Sequence, residues 1–205
     1  MSEMTSLQRA ILALERREPD RIPLFELLID HRVTDKILSG SSYEDFAEYV
    51  GLDLVLTHTP SRLYEQKVID ENKRIVRDEW GILRQYTEQE IPIPLEGSIK
   101  SEEDLKRYVP PDPQAERRFS SLYQLLDRFK GKKAVGIHLH DSFNYPWYLR
   151  GMENLLMDLM LNPPMVKELV QISVEHNVAL AEKAIDLGAD FVVLGDDYGS
   201  SLGPL

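Results

Sequence analysis

The chain has 205 residues, of which 42% are hydrophobic and 29% charged, and this suits one globular domain without an apolar run long enough to cross a bilayer. Its 24 basic and 35 acidic side chains give a net charge of −11, so we expect neither nucleic acid nor an anionic membrane as a partner. Without cysteine there are no disulfides or thiol nucleophiles, and without an apolar signal segment the sequence predicts a cytoplasmic protein.

The first part of the chain alternates helical and extended patterns. Residues 1–17 have the apolar spacing of a helix, and residues 22–29 are predicted to form a strand with Glu26 at its centre. A helix over residues 42–50 precedes a nearly continuous apolar strand over residues 52–57. This order predicts one β-α-β step.

The pattern then changes to alternating charged and β-prone residues. We predict a hairpin or meander over residues 63–91 with one solvated face, in which Trp80 packs as a core aromatic or, alternatively, covers a substrate as a lid. Ser101 and Asp104 have the spacing of a capping box before a short helix. The next helix is predicted at residues 115–129, after a proline-rich connector.

The third predicted strand, residues 133–141, is the most informative. Gly136, His138 and His140 share one of its faces, and aliphatic side chains occupy the other. Two helices and a fourth strand complete the prediction, at residues 152–161, 163–187 and 189–195. Strands that alternate with helices predict an α/β fold with a parallel sheet, and a polar face opposite an aliphatic one favours a TIM-type (β/α)8 barrel.

His138 and His140 can both reach one metal ion or one anionic substrate group, because they lie two residues apart on a strand. The alternative is one core histidine and one at the rim, since nothing in the sequence supplies a third ligand. A metal-dependent hydrolase that uses this pair, with Asp196 or Asp197 as its base, is therefore one functional alternative.

Asp196 and Asp197 directly follow the fourth strand, which in a barrel places a carboxylate over the mouth of the site. Either could act as an acid or bind the substrate, and the alternative is a turn with a helix cap that uses residues 199–201. Glu26 is either a site carboxylate or the partner of an arginine. One aromatic cluster is either core or a surface for a flat ligand, and it comprises Phe143, Tyr145, Trp147 and Tyr148.

Motifs from both ends of the chain and from the predicted hairpin resemble the uroporphyrinogen decarboxylase superfamily. The motifs are RAILAL at 9–14, EPDRIP at 18–23, DEWG at 78–81, GAD at 188–190 and GDDYG at 195–199. This superfamily includes porphyrinogen decarboxylases and corrinoid-dependent methyltransferases. The resemblance implies a single domain over residues 1–205, corresponding to the N-terminal half of a (β/α)8 barrel with the hairpin at 63–91 as an insertion.

Two departures from the decarboxylase pattern favour the methyltransferase branch. In the decarboxylases an arginine-rich run that holds substrate carboxylates follows Arg-x-Pro, but here Leu28 replaces its first arginine and only Arg32 remains. Asp197 adds negative charge where the decarboxylases have a serine. Uroporphyrinogen decarboxylation is the alternative function.

In that branch the resemblance implies methyl transfer between a corrinoid, carried on a partner protein, and a thiol or folate acceptor. Zinc is the implied metal, with ligands outside residues 1–205. The expected catalytic residues are Asp196, Asp197 and His140, and the expected binding residues for a small-molecule substrate are Glu26, Arg32, His138, Tyr148 and Tyr198. A non-enzymatic assembly piece, whose open sheet edges would pair in a homodimer, is the remaining alternative.

Overall fold

The computed structural model describes residues 4–58, 66–88, 91–200 and 203–204. The chain divides into two compact units, each assembled from three segments. Unit 1 comprises residues 1–60, 115–139 and 181–193, and unit 2 comprises residues 61–114, 140–180 and 194–205. Because segments of the two units alternate along the chain, a single domain over residues 1–205 stays a prediction.

Two helices begin with capping boxes, and the second of these is predicted from the sequence. The Thr5 hydroxyl accepts from the Gln8 N–H at 3.2 Å while Gln8 accepts from the Thr5 N–H, and Ser101 forms the same box with Asp104. The described helices are α1 (Ser6–Leu14), α2 (His31–Ile37), α3 (Tyr43–Tyr49), α4 (Glu102–Arg107), α5 (Ser120–Phe129), α6 (Asn144–Arg150), α7 (Met152–Leu161) and α8 (Pro163–Leu187). The sequence patterns did not predict α2 and α6, and residues 1–3 of the first predicted helix lie outside the described residues.

A parallel sheet of three strands has the order β1 (Leu54–Thr57), β6 (Ala134–His140) and β7 (Phe191–Gly195). Its register in unit 1 pairs Leu54 with Ala134 and Thr57 with Ile137. The aliphatic face of β6 is fully buried, as the alternation predicts, and α5 packs against β1. The predicted α/β class is confirmed, but the sheet is open in the described residues, so a closed barrel is not shown.

The predicted strand over residues 22–29 is wrong, because that segment is irregular. One residue of it pairs with the sheet: the Leu24 carbonyl accepts from the N–H groups of Asp53 and Leu54 at 2.9 and 3.3 Å. Pro23, directly before it, has no N–H to donate to a ladder. The segment therefore touches the start of β1 without continuing the sheet.

Unit 2 contains the predicted meander as a four-stranded antiparallel sheet. Its strands, in spatial order, are β2 (Lys67–Asp70), β3 (Ile75–Arg77), β4 (Leu83–Gln85) and β5 (Ile93–Glu96). The sheet extends past the predicted end at residue 91, while residues 63–65 and 89–90 lie outside the described residues. Trp80 is buried, with its ring stacked on that of Tyr145 at 4.0 Å, so the interpretation of Trp80 as a core aromatic is confirmed.

The last two strands are short and antiparallel, β8 (Gly199–Ser200) and β9 (Gly203–Pro204). Within the described ranges, every helix is either too short or too polar to pass through a lipid bilayer.

Candidate functional site

A buried carboxylate organises the N-terminal motif in unit 1. Asp53 is fully buried and accepts from Arg9 at 2.6 Å, from Arg21 at 2.7 and 3.0 Å, and from the Leu24 N–H at 2.8 Å. Arg9 also donates to Asp20 at 2.6 and 2.8 Å. Both arginines of the motif therefore bind carboxylates of the chain itself, so this part of the motif has a structural role.

The electrostatics of this cluster favour the charged forms. Burial works to raise the pKa of Asp53, but hydrogen bonds from Leu24, Ser6, Arg21 and Arg9 outweigh it and hold that pKa below its usual value. The hydrogen bond from Arg9 likewise lowers the pKa of Asp20. These acids are therefore held ionised, as ion-pair partners require.

Two histidines meet at the carboxyl ends of neighbouring strands in unit 1. The Nδ1 atoms of His58 and His138 are 2.9 Å apart, and Nε2 of His58 lies 2.9 Å from the Leu27 carbonyl oxygen. The ring centroids are separated by 4.7 Å, and the planes are tilted by 59°. In open parallel sheets and barrels alike, ligands bind at this end of the strands, so the pair is the strongest candidate site in unit 1.

The strand face that carries His138 also packs against an aromatic ring. Gly136 lies two residues before His138, on the same strand face, and a Cβ there would come within 2.5 Å of the Phe191 ring. The Phe191 ring meets Phe25 edge-on, with centroids 6.2 Å apart. Only glycine leaves space for Phe191 at this position.

The other two predicted binding residues of unit 1 are exposed. Glu26 lies in the irregular segment rather than at the centre of a strand. Arg32 forms a two-pronged pair with Asp30, with N···O distances of 2.9 and 2.5 Å, and this hydrogen bond keeps the pKa of Asp30 low. A substrate role for Glu26 or Arg32 stays a prediction.

In unit 2, Asp196 holds the start of α6. Its carboxylate accepts from the N–H groups of Phe143 and Asn144 at 2.6 and 3.1 Å. The Asn144 side chain donates to the Gly195 carbonyl at 3.3 Å and accepts from Trp147 Nε1 at 3.0 Å. The alternative prediction of a helix cap on residues 199–201 is not found, since Gly199–Ser200 form β8, and Asp196 instead accepts hydrogen bonds at the start of α6. A catalytic role for Asp196 stays a prediction.

A second buried ion pair, between Arg84 and Asp78, lies next to the predicted binding residue Tyr148. Arg84 Nε donates to Asp78 at 2.5 Å, and the Arg84 guanidinium lies 4.4 Å from the centre of the Tyr148 ring. Asp78 also accepts from the N–H groups of Trp80 and Ile82, each at 2.9 Å. Burial raises the pKa of the Tyr148 hydroxyl, which therefore stays protonated at neutral pH.

Three further predicted site residues belong to unit 2. The Tyr198 hydroxyl is 2.7 Å from Ser142 Oγ, and burial raises its pKa. Asp197 is exposed, and its N–H donates to Asp196. His140 is half-buried, with its ring edge-on to Tyr145 at 5.4 Å. Catalytic roles for His140 and Asp197 stay predictions.

The test for a metal centre covers the described residues alone. Among them, no group of three or more histidine, cysteine, aspartate or glutamate side chains could hold a metal ion. His138 belongs to unit 1 and His140 to unit 2, and neither gains two further ligands in its own unit. The chain also lacks cysteine, so its residues do not fit a zinc site of histidine and cysteine ligands.

Sequence reasoning missed His58, Asp53 and Asp78. His58 follows β1 by one residue, and only the register that pairs Thr57 with Ile137 brings it beside His138. An acid directly before or after an apolar run was the available signal for Asp53, but its partners Leu24 and Arg9 lie 29 and 44 residues away in the chain.

Comparison with known proteins bears on the larger part of the chain. The family model for uroporphyrinogen decarboxylase (URO-D) matches residues 74–205. The match includes the motifs at 78–81, 188–190 and 195–199, while the motifs at 9–14 and 18–23 lie before it. No curated protein matches the chain. Since the model covers more than half of the residues, the chain belongs to the uroporphyrinogen decarboxylase (URO-D) family.

Proposed function

We propose that this URO-D family protein forms a (β/α)8-type enzyme that transfers a methyl group between a corrinoid and a thiol or folate acceptor. Family membership supports an enzyme of this superfamily. The parallel sheet, with one aliphatic face buried, is compatible with part of a barrel wall. The substrate class follows from the charges that the N-terminal segment offers.

The pairing of Arg32 with Asp30 carries the choice between the two branches. A porphyrinogen with many carboxylate arms needs cationic partners, and Arg32 is the only arginine left in the run at 28–32. Its guanidinium binds Asp30 through two hydrogen bonds, so the pair offers no net positive charge. Arg21 is likewise bound to Asp53. This segment is therefore poorly suited to bind a polyanion, which supports methyl transfer over porphyrinogen decarboxylation.

A corrinoid carried on a partner protein would supply a methyl group whose bonding electrons stay on cobalt as the acceptor sulfur or nitrogen forms the new bond to carbon. The residues of this chain would bind and orient the acceptor and accept its proton. The described residues themselves do not fit a histidine and cysteine zinc site.

The test supplies the complete gene product with methylcobalamin and either a small thiol or tetrahydrofolate. We expect loss of the methylcobalamin absorbance and a methylated acceptor detectable by mass. Arg32→Leu should keep the rate within about twofold, since the proposal gives Arg32 no substrate carboxylate to hold. Release of carbon dioxide from uroporphyrinogen, abolished by Arg32→Leu, would overturn the assignment, as would the absence of methylated product with both acceptors.

A further inference from the structure

His58 and His138 are brought together by strand register. Thr57 pairs with Ile137 across β1 and β6, so the next residue of each strand occupies neighbouring positions with the side chains on the same face. This explains the approach of the two Nδ1 atoms to 2.9 Å. The pairing results from the sheet and not from any motif.

The contacts of His58 decide which nitrogen carries each proton. A carbonyl oxygen only accepts hydrogen bonds, so His58 Nε2 must donate to Leu27. In the neutral pair, Nδ1 of His58 is then the acceptor, and Nδ1 of His138 must be the donor. The proton of His138 therefore sits on Nδ1, and its lone pair sits on Nε2.

We propose that His58 and His138 form a proton-accepting pair that activates a thiol acceptor. The inference rests on the proposed methyl transfer and deepens it by choosing the thiol. His138 Nε2 takes the S–H proton, the Nδ1 proton of His138 passes to Nδ1 of His58, and a thiolate remains as the nucleophile. His58 ends as an imidazolium that donates from Nε2 to Leu27 and from Nδ1 to His138.

His138 is the catalytic residue in the proposal, and His58 is a positioning residue, because it acts only through His138. The Phe191 ring packs over Gly136, two residues before His138 on the same strand face, and would offer apolar surface to the carbon skeleton of a small thiol.

The first experiment reads the proton positions directly and needs no substrate. In 15N-labelled protein above pH 8, the imidazole 15N–1H correlation spectrum should show His138 with its proton on Nδ1. Removing the acceptor with His58→Ala should shift the tautomer ratio of His138 about fivefold toward Nε2–H, the effect of one hydrogen bond. His31→Ala, which removes an exposed histidine of the same unit, should leave His138 unchanged.

A proton on Nε2 of His138 in the unmodified chain overturns the pair, even if His58→Ala fails to fold. If the unmodified protein shows the His138 Nδ1–H signal but catalyses no methyl transfer, the proposed function is overturned instead. The two failures are therefore distinguishable.

The second experiment varies the acceptor. With a thiol of ordinary pKa, about 8.5, His138→Ala at pH 7 should lower kcat by about 100-fold, a typical loss for a general base. With a thiol already ionised at pH 7 the loss should shrink to a few fold, and His58→Ala should follow the same trend with smaller losses. Equal losses with both thiols would mean that the histidines only support the fold, and would overturn the proposal.

Discussion

Each unit contains one buried aspartate whose carboxylate is held by hydrogen bonds, but the partners of the two carboxylates lie at very different distances along the chain. Asp53 in unit 1 binds groups 29, 32 and 44 residues away, whereas Asp78 in unit 2 binds groups two, four and six residues away. Each carboxylate accepts main-chain N–H groups and at least one arginine. Asp78 can organise its turn locally, but the Asp53 cluster forms only once β1 and the N-terminal segment have met.

The two carboxylate clusters give residues of the family-like motifs a structural role. Arg9, Asp20 and Arg21 are held by one another and by Asp53, and Asp78 anchors the DEWG turn. Removing one partner of a buried ion pair leaves an uncompensated charge. Substitutions at these positions should therefore destabilise the fold even though the residues contact no substrate. Variants at the two aspartates test whether distance along the chain affects that cost.

The largest loss is expected for Asp53→Asn. The substitution leaves Arg9 and Arg21 facing an uncharged amide, and should lower the free energy of unfolding by about 3 to 5 kcal/mol. Amide hydrogen exchange at β1 and β6 measures this loss of stability. Tryptophan fluorescence would not report it, since both tryptophans lie in unit 2. Asp20→Asn is the control. Because the Asp20 side chain is 39% exposed, this substitution should lower the free energy of unfolding by less. Equal losses would contradict a central role for Asp53.

Asp78→Asn should cost about 3 kcal/mol, at the low end of the same range. Both main-chain hydrogen bonds use one oxygen, Oδ1, which asparagine keeps, so mainly the pair with Arg84 is lost. Urea unfolding followed by tryptophan fluorescence reports this unit through Trp80. The control Asp70→Asn changes a partly exposed turn acid of the same sheet and should stay within about 0.5 kcal/mol. A larger loss than that of Asp53→Asn would reverse the comparison.

A third variant separates distance along the chain from charge. Gly136→Ala would place a Cβ within 2.5 Å of the Phe191 ring, a long-range contact without ions, and should cost about 1 to 3 kcal/mol. Hydrogen exchange at β6 measures it, and Phe191→Leu should restore part of the loss in the double variant. Gly199→Ala, with nothing within 4 Å of its Cβ, should have almost no effect. Equal costs at both glycines would contradict the close contact with Phe191.

The smallest effect concerns acid pH. The pKa of Asp53 is lowered in the folded protein, so its stabilisation is complete above its unfolded pKa of about 3.9 and is lost as the pH falls through the folded value. The gap in β1 amide protection between the unmodified chain and Asp53→Asn should therefore begin to narrow as the pH drops from 5 toward 2. A constant gap over this range would show that Asp53 does not titrate with unfolding.

Local chemistry predicted much of the secondary structure. The Ser101 capping box, α7, α8 and the strands at 54–57, 134–140 and 191–195 agree with the sequence patterns, because caps and hydrophobic periodicity act within a few residues. The strand at 22–29 was wrong because an extended apolar pattern needs a partner ladder, and Leu24 alone finds one. Closure of the sheet into a barrel is likewise a property of long-range pairing.

The sequence by itself determined an acidic α/β chain with its two C-terminal long helices, its meander and its URO-D-like motifs. Only the tertiary structure decided what the polar residues do: it set Asp53 against Arg9 and Arg21, used Asp196 to hold α6, and paired His138 with His58. The physical reason is that hydrogen bonds between side chains depend on distances of about 3 Å. Strand register and the packing of distant segments set those distances, and periodicity along one segment does not contain them.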